Sequence, residues 1–386
     1  MRPPLRVLFL TPHPREGASS RYRVLQYVPL LEQRGIRCTV SPFLSSQFYH
    51  IAYAPGHWAK KAAYFTASSL RRLRDVARSG RYDVVFVHLG AFPLGPPWVE
   101  WCLSLRGLPF IFDMDDAIFL PHNHRENAIL EWLRMPHKLP AILRRSQCVV
   151  TGNNFLRGYA LQFNARVQVI PTCVDTRQFA PRARPPLQRP LIGWIGSHTT
   201  ARYLEALRPV LERLARHHDF TFKIVGSSRP FRANGVEIVQ EPWELARDVS
   251  YFQELDIGVY PLEDEPWALG KAGFKAVQYM AVGVPCVASA IGRNCEIVQD
   301  GVNGFLVKSV EEWYNRLGQL LVDEALRTRL GAAGRRTVEE HFSASRHVET
   351  YVALLHSVAG RRAAISPGAS TPETVVEKSE PNTCLR

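Results

Sequence analysis

Short apolar runs rich in β-branched residues alternate with amphipathic stretches of helical length along most of the chain. This alternation predicts repeated strand–helix–strand units and parallel sheets. Helical patterns cover residues 20–33, which Gly35 ends, and residues 58–78, which Gly80 ends. The strands expected in the first half are residues 5–10, 38–40, 84–88, 110–112, 148–151 and 167–170.

The series stops at residues 181–190, PRARPPLQRP, and then begins again. Prolines without apolar periodicity indicate an extended linker. We therefore expect an α/β chain with two doubly wound parallel-sheet domains, residues 1–180 and 191–340. A C-terminal helix at 341–359 is expected to pack back toward the first domain, and a disordered tail at 360–386 to follow. Beyond the linker, strands are expected at 191–195, 221–225, 236–239, 257–259 and 286–288, and helices at 201–216, 273–282, 309–340 and 344–358.

The segment GKAGFKAVQYMAVGVP, residues 270–285, carries the most specific chemical signal. It follows a predicted strand, and parallel sheets bind ligands at the carboxyl ends of their strands. A helix from about Gly273 places Lys271, Lys275 and Gln278 on one stripe beside its N-terminus. Two cations and an open glycine N–H at a helix start predict a diphosphate site. A solvated helix face is the alternative, and the flanking glycines favour the anion site.

Two other loops have weaker signals. In GWIGSHTTARYL, Gly196 and Ser197 join a predicted strand to a predicted helix and can cradle phosphate oxygens, while Arg202 extends from the first turn. In GRNCEIVQDGVNGF, Glu296 follows two flexible positions. A ligand role and a simple turn are both open for the glycines of this second loop.

Three motifs follow one another in the second half: DIGVYPLEDEPWALGKAGFKAVQYMAVGVPCVAS, EIVQDGVNGFLV and a helical GxxGR at residues 331–335. Together they resemble the nucleotide-sugar domain of GT-B glycosyltransferases, in particular the retaining glycosyltransferase family 4. In the first half, SSRYRVLQYVPLLEQRGI at residues 19–36 resembles the first helix of that family. The resemblance covers nearly the whole chain.

The resemblance implies a hexosyltransferase-type GT-B enzyme with two Rossmann-like domains facing a central cleft. It implies transfer of a sugar from a nucleotide-diphosphate donor, a UDP-sugar, to a glycan, lipid-linked or other envelope acceptor, with retention and without a metal or other cofactor. A nucleotide-sugar epimerase on the same fold is an alternative. The donor is expected on the C-terminal domain and the acceptor on the N-terminal one. The expected donor-binding residues are Gly196, Ser197, Gly273, Phe274, Gln278, Tyr260 and Glu296.

The sequence departs from the family pattern at the donor site. Members usually carry a Glu-x7-Glu pair around this helix, and Gly270 and Gln278 stand at those two positions. Ser197 stands where an arginine is common. Because a departing diphosphate carries negative charge, fixed cations must replace that arginine. The residues expected to supply them as catalytic groups are Lys275, Lys271 and Arg202.

The motif FDMDDAIF follows a buried-strand pattern and clusters three carboxylates. An Asp-x-Asp can hold a divalent metal in GT-A glycosyltransferases, so a GT-A-like enzyme using Asp113 and Asp115 is a further alternative. In a GT-B enzyme we expect Asp113 as a catalytic residue and Asp115 and Asp116 as cleft or acceptor residues. Helix capping or a salt bridge is the other role open to them. The remaining cleft or acceptor candidates are His88, Arg21 and Arg23.

Charge is distributed unevenly along the chain. Residues 1–185 carry 25 Lys and Arg against 11 Asp and Glu, whereas residues 186–386 carry 23 against 24. An anionic partner of the first half is therefore expected. The basic amphipathic stretch 58–81 predicts contact with an anionic membrane surface, and an ordinary surface helix is the alternative. No helix-turn-helix, zinc-finger or aromatic RNA-binding signature supports a nucleic-acid partner.

Composition adds little beyond the compartment. Hydrophobic residues make up 46% and charged residues 22%, as in folded globular proteins. The seven cysteines are widely spaced without a Cys-x-x-Cys pair, which favours a reducing environment. The apolar run that follows Arg6 is too short for a signal peptide. We expect a cytoplasmic protein, peripheral on the inner face of the membrane.

Overall fold

The chain folds into two α/β units, each built on a six-stranded parallel sheet. Among the described residues, the first unit comprises residues 3–172 and 344–360, and the second comprises residues 173–343. Residues 183–188 of the predicted linker and the tail from residue 361 lie outside the described residues. The computed structural model describes residues 3–52, 54–120, 135–182, 189–197 and 199–360.

The first sheet contains the strands β1 Leu5–Thr11, β2 Ile36–Pro42, β3 Val84–His88, β4 Phe110–Met114, β5 Cys148–Thr151 and β6 Val167–Val169. Their order is β2-β1-β3-β4-β5-β6, with every neighbouring pair parallel. Because β3, β4 and β5 are buried along their whole length, their sequences are mostly apolar, with the polar residues His88, Asp113 and Thr151 at or near their carboxyl ends. All six strands were predicted from this pattern.

The helices of the first unit confirm one prediction and correct another. The predicted helix 58–78 is present as Trp58–Ala77. The predicted helix 20–33 is wrong as a single element: Val24 leaves helical geometry, at φ −126° and ψ −62°, and Pro29 starts a new turn because it has no amide hydrogen. The helices are Ala18–Arg23, Val28–Glu32, Ser46–Ala52, Trp58–Ala77, Trp98–Leu105, Leu139–Arg145, Asn154–Ala160 and Ala344–Val358, with 3₁₀ turns at Leu25–Tyr27, Ser79–Arg81 and Pro136–Lys138.

The second sheet contains β7 Leu191–Ile195, β8 Thr221–Val225, β9 Glu237–Glu241, β10 Ile257–Tyr260, β11 Cys286–Ser289 and β12 Phe305–Val307. Its order is β12-β11-β10-β7-β8-β9, again parallel throughout. β12 was not predicted. The other five strands of this sheet were predicted.

Two predicted helices of the second unit are each divided. The stretch 201–216 is a 3₁₀ helix followed by an α-helix with Pro209 in its first turn. The stretch 309–340 breaks at Asp323, whose carboxylate accepts a hydrogen bond from the Leu326 amide and caps the second helix. The helices are Arg208–Leu214, Asp248–Gln253, Pro266–Gly270, Phe274–Ala281, Asn294–Ile297, Val310–Val322 and Glu324–His341, with 3₁₀ turns at Ala201–Leu207 and Leu245–Arg247.

A close helix contact explains the helical GxxGR motif. Gly331 of the Glu324–His341 helix faces the turn that follows the Phe274–Ala281 helix, and a Cβ added to Gly331 would lie 2.0 Å from the carbonyl oxygen of Gly283. Only glycine allows this approach. The long helix thereby supports the segment in which the sequence predicts an anion site.

In each sheet the chain adds strands on one side of its first strand and then moves to the other side. We call the gap where this change occurs the reversal point; it lies between β1 and β3 in the first unit and between β7 and β10 in the second. In open α/β sheets, loops diverge at such a point and leave room for a ligand beyond the carboxyl ends of the strands. Each unit is therefore expected to have its chemistry there. Among the described helices, none has the length and apolar character needed to cross a bilayer.

Candidate functional site

Tyr279 connects the strands at the reversal point of the second sheet. The amide of Ile195, the last residue of β7, donates a hydrogen bond to the Tyr279 hydroxyl oxygen at 3.2 Å. That hydroxyl also lies 3.4 Å from the carbonyl oxygens of Gly193 and Val259. A Cβ on Gly258 would lie 2.4 Å from the ring, so glycine is needed there. The Phe274–Ala281 helix is thus attached to the carboxyl edge of the sheet.

Lys275 lies one helical turn before Tyr279, on the same side of the helix. Its Nζ is 5.1 Å from the ring centre of Trp194 and 5.2 Å from that of Tyr260, so it lies over the ends of β7 and β10. Within residues 189–197 and 199–360, no carboxylate pairs with this half-buried ammonium group. Burial, together with the charge of Lys271, lowers the pKa of Lys275 to about 7. A cation without a counter-ion at this point is suited to an anionic ligand.

Lys271 is close to Lys275 but outside its helix. It follows the Pro266–Gly270 helix in extended geometry, and its Nζ lies 3.7 Å from the ring centre of Trp267. Gly273 then turns the chain at φ +65°, where a Cβ would lie 2.4 Å from the Ile297 side chain. The predicted single helical stripe through residues 271, 275 and 278 is therefore wrong, although both lysines remain near the helix start.

The loop after β7 passes close to Lys275. A Cβ on Gly196 would lie 2.5 Å from the Trp194 ring and 3.0 Å from Cε of Lys275, so only glycine fits. The Ser197 hydroxyl lies 2.7 Å from that of Thr199. The backbone of this loop can therefore approach a ligand held by the lysine.

Arg202 already has a counter-ion. Its guanidinium donates to Glu265 at 2.5 Å, and the Tyr203 hydroxyl donates to the same carboxylate. Arg202 and Glu265 together form a neutral pair. Arg202 is therefore held beside the loop after β10, and its charge is already compensated there, in contrast to that of Lys275.

The remaining predicted donor residues lie on the Phe274–Ala281 helix or, in the case of Glu296, on the Asn294–Ile297 helix. Gln278 is buried and Phe274 is half-buried. Glu296 pairs with Arg293 at 2.5 Å, one turn earlier in the chain. The structure places Gln278 and Phe274 on the lysine-bearing helix, and it gives Glu296 a local partner.

A chain of hydrogen bonds lies at the reversal point of the first sheet. His88 ends β3, and its Nδ1 lies 2.7 Å from Oδ2 of Asp113 in β4. Its Nε2 lies 2.5 Å from the hydroxyl of Ser19, which follows β1. Both oxygens of Asp115 lie 3.2 Å from that hydroxyl. The Ser19 hydroxyl has a single proton, so it can donate to only one of these neighbours at a time.

Arg23 holds Asp113 in place. The guanidinium contacts both carboxylate oxygens and also donates to the Ile170 carbonyl at 2.6 Å. Burial alone would raise the pKa of Asp113, but the charge of Arg23 and the hydrogen bond to His88 outweigh it and hold that pKa below its ordinary value. The salt bridge that the sequence allowed as one role of Asp113 is thus present, with Arg23 as the partner. Arg23 is itself buried, and its hydrogen bonds to Asp113 and the Ile170 carbonyl fix the position of that carboxylate.

The other predicted residues of this unit have local partners. Arg21 donates to the carbonyl oxygens of Arg15 and Glu16, at 2.8 and 3.1 Å, and closes the loop after β1. Asp116 accepts from the Ala117 amide at 2.9 Å. Leu89, directly after His88, is held at φ +57°, which is strained for a residue with a side chain. Such strain is typical of functional sites.

Comparison with known proteins shows the family to which the chain belongs. A family model described as "Glycosyl transferases group 1" matches residues 189–323, and one described as "Glycosyltransferase Family 4" matches residues 13–178. The chain belongs to the group 1 glycosyltransferases. It is a GT-B transferase, so the alternative of a GT-A-like fold is wrong. Among the described residues, no group of three or more His, Cys, Asp or Glu side chains could hold a metal ion.

Individual glycosyltransferases resemble it across most of their length. The D-inositol 3-phosphate glycosyltransferase of Xylanimonas cellulosilytica is 27% identical over 323 residues, which are 72% of each chain. A glycosyltransferase of Rickettsia africae has a TM-score of 0.65 at 15% identity, over 92% of this chain and 98% of that one. HepE of Anabaena, solved with UDP-glucose, has a TM-score of 0.61 at 14% identity, over 92% and 99%. The two structures show the shared fold.

Asp113→Asn should strongly destabilise this glycosyltransferase. The substitution leaves the buried Arg23 charge without its carboxylate, a change that costs about 3–5 kcal/mol of unfolding free energy in other proteins. Urea denaturation followed by circular dichroism measures the loss. Asp116→Asn, at a half-buried aspartate of the same motif, should change stability by less than about 0.5 kcal/mol. Equal effects of the two substitutions would show that the Arg23 pair does not support the fold.

Proposed function

We propose that this glycosyltransferase transfers a hexose from a UDP-sugar to a hydroxyl group of a glycan or lipid-linked acceptor, with retention and without a metal. The observation that carries the proposal is Lys275, a cation without a carboxylate partner in the described chain, at the reversal point of the second sheet. Burying such a charge is unfavourable unless an anion compensates it. The donor diphosphate is that anion.

The leaving-group chemistry fits the two lysines. When the bond from the sugar to the diphosphate breaks, negative charge develops on the departing oxygen, and fixed cations stabilise it most when they need no rearrangement. Tyr279 fixes the helix of Lys275, and Trp267 lies against Lys271. The backbone N–H groups at the start of the Phe274–Ala281 helix add a further positive potential. These groups neutralise the diphosphate without a metal ion.

Two further features support a nucleotide-diphosphate sugar, and the first of them favours uridine as its base. HepE, which shares the fold, was solved with UDP-glucose. Gln278, where a carboxylate is usual, retains an amide that can donate to and accept from ribose hydroxyls. The substitution of Gly270 and Gln278 for the usual Glu pair removes two negative charges near the diphosphate. Fewer counter-charges are then required, which is consistent with Arg202 being paired to Glu265.

The acceptor hydroxyl is proposed to bind in the first unit, at the hydrogen-bonded cluster of His88, Ser19, Asp113 and Asp115, called the His88 cluster. Asp115 is its more exposed carboxylate and contacts the Ser19 hydroxyl. An acceptor hydroxyl that donates to Asp115 would be held by the same network that Arg23 and Asp113 keep rigid. For retention we propose departure and attack on the same face of the sugar, and we assign no protein nucleophile.

The function is tested by a panel of UDP-, GDP-, ADP- and dTDP-sugars. The preferred donor should raise the melting temperature, because it binds the folded state. Release of the nucleoside diphosphate should then depend on an added acceptor and persist in EDTA. Conversion of the donor with no acceptor would indicate the epimerase instead. Loss of turnover in EDTA would contradict the metal-free mechanism.

Donor affinity should depend on pH through Lys275. In the free protein this lysine is charged below a pKa of about 7, and a bound diphosphate favours the charged form. Binding above that pH must therefore take up a proton, so the affinity for a UDP-sugar should be constant below pH 7 and fall by up to about tenfold per pH unit above it. Calorimetry across this range measures the slope.

A matched pair of variants tests whether Lys275 causes this dependence of donor affinity on pH. Lys275→Met should bind the donor at least about tenfold more weakly, since it removes a charged hydrogen bond, and with no slope above pH 7. Lys308→Met, at an exposed lysine of the same unit, should behave like the unmodified protein. An unchanged slope in Lys275→Met would remove this lysine from the site.

A further inference from the structure

The Trp58–Ala77 helix has an apolar outer face. Its exposed residues at positions 59, 63, 66, 70, 73 and 77 follow the alternating spacing of four and three that defines one side of a helix, and five of the six are Ala or Leu. Leu70 is 61% exposed and Leu73 is 51% exposed. Trp58, at the helix start, is 78% exposed. Large apolar side chains thus lie in water at the start and in the second half of this helix.

The inner face is mixed: Phe65 packs against Phe43, with 5.5 Å between ring centres, and Val76 is buried, but charged side chains are turned inward beside them. Arg72 is buried, and its guanidinium contacts Asp75 at 3.1 Å and the Ser41 carbonyl at 3.2 Å. Arg71 donates to the carbonyl oxygens of Pro42 and Phe43, at 2.8 and 2.7 Å. A surface helix ordinarily buries its apolar side and exposes its charges. Here two arginines are turned inward while Trp58, Leu70 and Leu73 remain exposed, so the outer face is suited to a partner that takes up apolar side chains.

The border of this face is cationic. Lys60, Arg74 and Arg78 are exposed on one side of the apolar stripe, and Arg81 follows directly after the helix. The acidic residue of the helix, Asp75, is turned inward and holds Arg72 and the Ser41 hydroxyl. Apolar side chains beside a row of cations fit a surface that is apolar below and anionic above.

We infer that this face, defined by Trp58, Leu70, Leu73, Arg74 and Arg78, binds the surface of an anionic lipid bilayer. A second copy of the chain is a poorer occupant, because a two-fold contact would bring the same row of cations together. A bilayer accepts the leucines among its acyl chains and pairs the cations with lipid phosphates. The inference concerns a surface of the first unit and holds whichever sugar the enzyme transfers.

The test is flotation of the whole protein with vesicles of phosphatidylcholine, alone or mixed with phosphatidylglycerol. We expect binding to the mixed vesicles at low salt, weaker binding at high salt, and little binding to phosphatidylcholine alone. No binding to the mixed vesicles, or equal binding to both kinds, would overturn the inference.

Paired variants separate the apolar and the ionic contributions. Leu70→Ser with Leu73→Ser should weaken binding at least about tenfold, because both leucines lose their apolar contact. Arg74→Gln with Arg78→Gln should weaken binding several-fold and reduce its dependence on salt. The matched controls are Leu105→Ser, at a leucine 87% exposed elsewhere in the unit, and Arg37→Gln with Arg166→Gln, which are exposed arginines off the helix. Controls as damaging as the test variants would contradict the assignment.

Two further measurements distinguish loss of lipid binding from misfolding and from self-association. Nucleotide release with a water-soluble acceptor should be unchanged in all of these variants, since none lies in the catalytic clusters. Light scattering without lipid should give the same mass for the leucine variant and the unmodified protein. A lower mass in the variant would show that a second copy covers the face, and would overturn the bilayer assignment.

Discussion

The contact of Tyr279 with the ends of β7 and β10 determines where the positive charge of the second unit lies. The phenol binds the Ile195 amide and lies against the carbonyl oxygens of both strands, and Gly258 leaves room for its ring. Burial raises the pKa of this phenol well above its ordinary value, so it stays neutral and can keep donating. This attachment fixes the position of Lys275, because that residue lies one turn away on the same side of the helix.

The two sheets use the same position in different ways. At the reversal point of the first sheet the charges are matched: Arg23, Asp113 and His88 satisfy one another and are buried. At the reversal point of the second sheet, Lys275 has no carboxylate partner within residues 189–197 and 199–360. A matched cluster can position a neutral hydroxyl, whereas an unmatched cation is suited to an anion. This difference favours the diphosphate on the second unit and the acceptor on the first.

Much of the fold could be predicted from the sequence, because buried parallel strands consist of continuous apolar runs. Val84–His88, Cys148–Thr151 and Thr221–Val225 were predicted to the residue. The errors arose where local rules compete, as at Pro29 within an amphipathic pattern.

The candidate site was only partly predictable. Glycines and lysines close together in the sequence indicated the lysine pair. The Arg23–Asp113 pair joins residues 90 positions apart, and no periodicity reports such a contact. Ser19 and Tyr279 were missed for the same reason: their roles depend on the ends of strands that meet only in the folded sheet.

A crystal structure of the protein with a bound UDP-sugar is the decisive experiment for the lysine site. We predict that Nζ of Lys275 lies within hydrogen-bonding distance, about 3 Å, of a diphosphate oxygen, with Tyr279 unmoved at the strand ends. A diphosphate bound away from the Phe274–Ala281 helix, with Lys275 directed into solvent, would contradict the proposed donor site.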